Sequence, residues 1–343
     1  MNTTCFNDFP EFATHLLKEV NSHSQTFILC DTNTYTHCVT ILLQFIPELN
    51  GAPIIELAPG EESKSLEFAD HIYAELLANE ADKKALLICI GGGVITDLGG
   101  FVASTYKRGI DFIHVPTSLM AQVDASIGGK CGVDAHGIKN AIGLFKMAKQ
   151  NLVFTPFINT LPEQELKSGF AEMIKHSLVA DFTYWTTLQH VDISNSNELA
   201  LFVKRSTEIK QEIVKKDPKE RSLRKILNYG HTVGHAIESL LLEKGSPISH
   251  GQAIAWGMAL ENEIAVQAKI LKEQVCLEVN AKIQKFFGEI PRFSEEEISQ
   301  LIGYMRNDKK NAHGDIRFAL ISAIGTCHVN IAVSEEIVRE ILS

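Results

Sequence analysis

The stretch ALLICIGGGVITDLGG (residues 85–100) runs from an apolar segment into three glycines and then into a helical pattern. Ala85-Leu86-Leu87-Ile88-Cys89-Ile90 is short, continuous and stopped by glycine, which reads as a strand buried on both faces. The glycines let backbone N–H groups approach a phosphate closely, and the helix start adds partial positive charge, so a pyrophosphate fits there. The usual dinucleotide fingerprint would require glycine at Thr96, and a strand-to-helix glycine turn also serves purely structural ends. Working outward, Thr26–Cys30, Pro53–Leu57 and Phe112–Val115 are further β-rich runs, and Ser65–Asn79 repeats apolar residues at helical spacing. Strands alternating with helices predict βαβ units and a mainly parallel sheet.

From about residue 160 the character changes. Leu161–Ala180, Glu198–Lys216 and Gln252–Leu271 are long helical patterns, with almost no strand signal before Arg317–Ile321. The expected organisation is an α/β domain over residues 1–155 and a mainly α-helical domain over 156–343. No repeat or Pro/Gly/Ser linker separates them, so chemistry is expected at a cleft where they abut.

Composition narrows the function. Across 343 residues, 45% are hydrophobic and 22% charged, the balance of a folded chain with an ample core. Lys plus Arg number 32 against 42 Asp plus Glu, a formal charge of −10, which disfavours nucleic acid and anionic lipid as partners. No apolar run approaches the roughly 20 residues that span a bilayer, and MNTTCFNDFPEF lacks a basic leader, so a cytoplasmic location is expected. The 7 cysteines are scattered without a C-x-x-C pair, as free thiols in a reducing compartment would be. Cys30 and Cys89, inside apolar runs, read as small buried hydrophobes.

Three constellations carry chemistry. His231 and His235, at i and i+4 of a helical stretch, share a face as metal ligands would, and His250 is a possible third; core or surface histidines give the same spacing. Glu172 and Lys175 also share a helical face, either as a surface ion pair or as a carboxylate that needs a cation to tolerate burial. Lys130 after Gly128-Gly129, Lys139-Asn140 after Gly137, Arg108, Lys210, Arg224 and Asp308-Lys309-Lys310 form a cationic set. Flexible backbone carrying Lys and Asn suits an oxyanion or phosphate clamp.

In this order the pieces GGGVITDLGGF, PTSLMAQVDASIGGK, GFAEMIKH, LNYGHTVGHAIE and SHGQAIAWGM resemble the 3-dehydroquinate synthase family, from about Asp31 to Lys310. The resemblance implies catalytic NAD, one Zn²⁺ or Co²⁺, a homodimer, and conversion of 3-deoxy-D-arabino-heptulosonate 7-phosphate into 3-dehydroquinate and phosphate. It also implies that the first domain binds NAD and the second the metal and substrate. It implies Glu172, His231 and His250 as metal ligands, replacing His235, which becomes an acid–base or supporting group. Asp124, Lys130, Lys139, Asn140, Lys175, Lys210, Arg224 and Asn228 match substrate-contacting positions, and Glu220 a proton-transfer position. Arg108 corresponds to an arginine reaching the phosphate from its own or the neighbouring subunit, and one of Lys309 and Lys310 to another phosphate contact. The NAD set is Asp31, Asn33, Glu61, Lys64, Gly92, Gly93, Val94, Asp97, Thr117 and Ser118, with Lys139 shared. The chain departs from the family pattern at Ser222, where glycine is common, at Ser118 and Ala125, and in a lengthened Leu242–Ser249 segment.

The implied chemistry is transient oxidation at C5, phosphate loss, re-reduction and aldol-type ring closure, with closure of the cleft shielding reactive intermediates. A Zn²⁺ held by two neutral imidazoles and one carboxylate keeps net +1 and lowers an alcohol's pKa. Rival readings are a metal-dependent polyol dehydrogenase, another sugar-phosphate cyclase, and a zinc- and nucleotide-binding protein without activity. The cationic set argues against an uncharged polyol as substrate.

Overall fold

The computed structural model describes residues 2–307 and 316–343; Asp308, Lys309 and Lys310 lie outside the described residues. The chain divides into two compact units, Met1–Leu166 with Leu199–Gln211, and Lys167–Glu198 with Glu212–Ser343.

The first unit runs β1 (Asn2–Phe6), α1 (Phe9–Val20), β2 (Thr26–Asp31), a single turn α2 (Thr32–Thr34), α3 (Thr40–Phe45), β3 (Ile54–Leu57), α4 (Leu66–Ala78), β4 (Leu86–Gly91), α5 (Gly93–Thr105), β5 (Asp111–Pro116), β6 (Lys130–Ala135), β7 (Ile138–Phe145) and β8 (Gln150–Phe154). Six strands form one sheet in the order β1-β8-β5-β4-β2-β3, and every neighbouring pair is parallel. Strand periodicity divides the sheet's two faces. Phe27, Leu29, Leu87, Cys89 and Phe112 enter a core with α4 and α5. Ile28, Cys30, Leu86, Ile88, Ile90, Ile113 and Val115 enter another with α1 and α3. Helix α4 starts where Ser65 accepts from Phe68 N at 3.4 Å and ends at Asn79, the bounds its periodicity predicts.

Two features depart from the sequence reading. β1 and β8 join the sheet without having stood out as apolar runs. Gly137-Ile138-Lys139-Asn140 is not a free loop: Gly137 turns a hairpin in which β6 and β7 pair antiparallel, placing Lys139 and Asn140 on β7.

The second unit is mainly helical: the greater part of α6 (Glu163–Ala180), then α7 (Phe182–Leu188), the ends of α8 (Ser196–Lys216), α9 (His231–Glu243), α10 (His250–Gln267), α11 (Glu273–Phe287), α12 (Glu295–Asn307), the antiparallel pair β9 (Arg317–Ala323) and β10 (Thr326–Ala332), and α13 (Glu335–Leu342). Glycines allow its helices to approach closely. A Cβ at Gly251 would collide with Ser168 Cα and O, and one at Gly257 with Gly230 O. Among the described residues, no helix is long and apolar enough to cross a membrane, and the seven cysteines are free.

Candidate active site

In the first unit, the residues expected to hold a dinucleotide gather at the carboxyl ends of the parallel strands, where open α/β sheets bind ligands. Asp31 ends β2, and its Oδ1 accepts from Thr34 N at 2.9 Å, with Asn33 exposed on the same turn. Gly92 caps α5 and Gly93 and Val94 open it; no side chain caps this helix, which leaves its first N–H groups for a ligand. Thr117 N donates to Gly91 O at 3.0 Å, and Ser118 Oγ accepts from Ala121 N at 3.2 Å. Gly92 has φ −73°, and Cβ atoms at Gly92 and Gly93 would meet only Ser118 Oγ and Ala125 Cβ, both at 3.4 Å. Neither backbone conformation nor protein packing demands glycine there, whereas close passage of a phosphate would.

Beside this turn, Lys64 is 5% exposed and donates from Nζ to Asp97 Oδ2 and Asn140 Oδ1, each at 2.6 Å, with Glu61 Oε1 at 4.0 Å. Burial opposes the Lys64 charge, but the Asp97 carboxylate and its hydrogen bond hold the ammonium above the ordinary lysine range. Asn140 takes a left-handed φ of 53° and donates its N–H to Asp134 Oδ1 at 2.6 Å. Lys139, its neighbour on β7, is exposed, and Lys130 opens β6 with its charge in the field of Asp97. Asp124, on the turn Ala121–Ala125, accepts from Lys210 Nζ at 2.6 Å. Arg108 is exposed on a turn where Lys107 and Arg108 both have left-handed φ, 48° and 64°.

In the second unit, three helices converge. Glu172 on α6 is 1% exposed, so its ion pair with Lys175 is buried rather than superficial, with Lys175 Nζ on Oε2. The other oxygen, Oε1, faces His231 Nε2 at 3.8 Å and His250 Nε2 at 3.9 Å. Both imidazoles are tied from behind: His231 Nδ1 donates to Tyr229 O, and His250 Nδ1 to Glu238 Oε2, each at 3.1 Å. That fixes the tautomer with the Nε2 lone pairs aimed at the carboxylate. Atoms bound about 2.1 Å from one tetrahedral or trigonal ion stand roughly 3.4–3.6 Å apart, so these spacings fit a shared divalent cation and are too long for hydrogen bonds. The His235 ring lies 5.1 Å from His231 and 5.7 Å from His250, and ligand nitrogens of all three come within 4.8 Å of one another.

A second group lies on the segment between α8 and α9. Asn228 Nδ2 donates to Glu220 Oε1 at 3.1 Å, and the 2%-exposed Arg224 places Nε 3.9 Å from Glu220 Oε2 and donates from Nη1 to Pro218 O at 3.0 Å. Ser222 is accommodated without the family's usual glycine. Its N–H and hydroxyl donate to Asp217 Oδ2 at 2.7 and 3.3 Å, which holds it in place.

Sequence reasoning missed supporting carboxylates, among them Glu238 and Asp217. Glu238 follows His231 by seven residues and so shares its helical face, a signal that was available. Asp217 precedes its loop without periodicity. It also accepts from Arg221 N and Arg224 N, both at 3.0 Å.

The family model described as 3-dehydroquinate synthase N-terminal matches residues 54–168, and the one described as 3-dehydroquinate synthase C-terminal matches 169–311. A 3-dehydroquinate synthase of Parabacteroides distasonis is 37% identical over 322 residues, covering 93% of this chain and 91% of that protein. Among solved structures, a 2-deoxy-scyllo-inosose synthase complexed with carbaglucose-6-phosphate, NAD⁺ and Co²⁺ superposes with TM-score 0.85 at 22% identity, covering 99% of this chain and 95% of that one. A 2-epi-5-epi-valiolone synthase from Streptomyces hygroscopicus with NAD⁺ and Zn²⁺ bound gives the same TM-score of 0.85, at 22% identity and with 99% and 95% coverage. These two carry the fold alone, while the near-complete match at 37% identity and the paired family models carry more: the chain belongs to the 3-dehydroquinate synthase family.

Proposed function

We propose that this chain converts 3-deoxy-D-arabino-heptulosonate 7-phosphate into 3-dehydroquinate and phosphate, in the shikimate route to aromatic amino acids. The observation that carries the reading is the convergence of Glu172 Oε1 with His231 Nε2 and His250 Nε2, at 3.8 and 3.9 Å, each imidazole held by an acceptor on its Nδ1. Glu172, His231 and His250 would hold Zn²⁺ or Co²⁺, and the β4–α5 turn with Asp31, Asn33, Glu61, Lys64, Asp97, Thr117, Ser118 and Lys139 would hold NAD. When bound, these groups supply a reversible hydride acceptor and a Lewis acid for the substrate's hydroxyls.

The remaining work falls to the chain's own side chains. Lys175 neutralises the second Glu172 oxygen, leaving Oε1 free to serve as a ligand atom opposite the two imidazoles. His235, beside both ligands, is placed to take or return a proton at a substrate hydroxyl. Glu220, held by Asn228 and near the buried Arg224, is assigned proton transfer, with Arg224 also binding an anionic substrate group. Lys130, Lys210, Asn140 and Arg108 supply cationic or amide donors for phosphate and carboxylate, and Asp124 orients the Lys210 ammonium. The shared position of Lys130 and Asn140 beside the Lys64–Asp97 pair supports placing Lys139 and its neighbours near the dinucleotide. The assignment gives NAD binding to the first unit and metal binding to the second, in a cytoplasmic homodimer.

The test is release of inorganic phosphate from the heptulosonate phosphate, with and without chelator and added NAD. Release that needs both metal and dinucleotide, without net NADH, is expected. Net NADH from glycerol with no phosphate release would replace the cyclase reading by a dehydrogenase. His231→Ala should lose metal and turnover while still binding NAD.

A further inference from the structure

Helix α9 begins at the ligand His231, but no side chain at its own N-cap serves it, because Gly230 stands there with φ 79°. A side chain at Gly230 would meet Met258 N at 3.1 Å and Ile254 O at 2.9 Å, so the turn is pressed onto α10 and away from water. The N–H groups of a buried helix start need acceptors. They come from α10. The fully buried Glu261 accepts from Gly230 N at 2.7 Å through Oε2, and from Thr232 N and Val233 N at 3.1 and 3.2 Å through Oε1. The next residue, Asn262, also fully buried, accepts from Tyr229 Oη at 2.6 Å. Tyr229 is the residue whose carbonyl receives the Nδ1 proton of His231.

We propose that Glu261, seconded by Asn262, positions the metal ligand His231. This rests on the metal reading above. The carboxylate takes up N–H groups on both sides of His231 in the chain and adds negative charge at the helix's positive end. Asn262 fixes the phenol of the residue whose carbonyl aims the imidazole. Because α10 also begins with His250, one helix sets two of the three ligands: His250 directly, and His231 through Glu261 and Asn262. A metal site tolerates ligand displacements of only about 0.2 Å, so a turn free to relax would lose affinity before it lost its fold.

The experiment measures zinc dissociation constants on the full-length protein by competition with a chromophoric chelator, with NAD binding followed by fluorescence. Glu261→Gln keeps the side-chain length but turns an N–H donor toward the donor group it faces. Zinc should bind 10–100-fold more weakly, the usual effect of losing a ligand's support, the d–d absorption of the cobalt form should change, and NAD affinity should not move. A rise of less than tenfold overturns the proposal. Where Glu261→Gln does not fold, Tyr229→Phe decides: about a fivefold rise, the worth of one net hydrogen bond, is expected, and less than threefold overturns it. His231→Ala separates the two readings. If it retains zinc, the metal assignment itself fails; if it loses zinc while Glu261→Gln does not, only the positioning role fails.

Discussion

Replacing Gly257 by alanine should damage the candidate metal site without touching any of its ligands. Gly257 lies on α10 where that helix crosses the start of α9. A Cβ there would collide with Gly230 O, and it would stand 2.6 Å from Gly234 N and 2.9 Å from Gly234 Cα. All three atoms are backbone, so no rotamer change relieves the contact. Carbon to carbonyl oxygen contacts settle at about 3.3–3.6 Å, so the start of α9 must retreat by more than about 1 Å. His231 is the first residue of that helix and must move with it, whereas His250 belongs to α10 and remains. Overpacking of this kind costs about 1–3 kcal/mol, and rigid backbone on the receiving side places it at the upper end. At about 2–4 °C per kcal/mol for a unit of this size, Tm in chelator should fall by roughly 6–12 °C. A displacement of about 1 Å is several times the tolerance of a metal–ligand distance, and should weaken zinc binding by about 100-fold or more. Differential scanning calorimetry and chelator competition measure the two effects separately. A folded Gly257→Ala protein that binds zinc within twofold of the parent would refute the claim that helix spacing sets the ligand geometry.

The opposite sign is expected at Gly303 in α12, where a Cβ meets nothing within 4 Å: Gly303→Ala should raise stability by about 0.5–1 kcal/mol, measured by urea unfolding. At Asp217, burial works to raise the pKa, but the N–H groups of Arg221, Ser222 and Arg224 and the Ser222 hydroxyl hold the carboxyl down at about 2. Its contribution is therefore complete above the ordinary carboxylate value of 3.8 and fades as pH falls toward 2. Asp217→Asn should accordingly lower kcat/KM at neutral pH by loosening the loop of Glu220 and Arg224, with zinc affinity unchanged; equal kcat/KM would contradict this. Burial pushes His114 on β5 down to about 3. It stays neutral when folded and takes a proton when unfolded, so it costs stability at up to about 1.4 kcal/mol per pH unit as pH falls from about 6.5 toward 3, and nothing above that window. His114→Gln should flatten that part of the stability profile.

β2, β4 and β5 were legible because they are buried on both faces nearly throughout and read as apolar runs, β4 being buried along its whole length, and the edge strand β3 because its short β-rich run Pro53–Leu57 stands out even with Glu56 exposed. The strands flanking β5 on the other side were not. β8 carries the polar pair Gln150 and Asn151, and β1, NTTCF, has little apolar content, so only their mutual pairing and that of β8 with β5 make them strands. The β6–β7 hairpin escaped for a different reason. Its outer strand is exposed along nearly its whole length, so no hydrophobic alternation marks it, and its glycines imitate a loop. Among candidate site residues, the H-x-x-x-H spacing places His231 and His235 on one face of α9 and ranks them equally, since a shared face says nothing about which acceptor each ring finds.

The surroundings of His231 reach far along the sequence. Tyr229 O fixes the His231 tautomer, but Tyr229 is itself fixed by Asn262, thirty-odd residues on, and the turn between them by Glu261. The same helix meets α6 through Gly251, whose missing Cβ leaves room for Ser168, four residues before Glu172. Helix α10 is therefore the common reference for all three candidate ligands. Gly251 sets its distance to the carboxylate's helix and Gly257 its distance to the imidazole's, while its own first residue is the third ligand. Two glycines read locally as helix-weakening residues, and Glu261 as an ordinary helix former with nothing to mark it as buried. Placed on one helix against two neighbours, they specify spacings that larger or apolar side chains would not reproduce, so a metal site assembled from these helices would depend most on the residues that sequence reasoning values least.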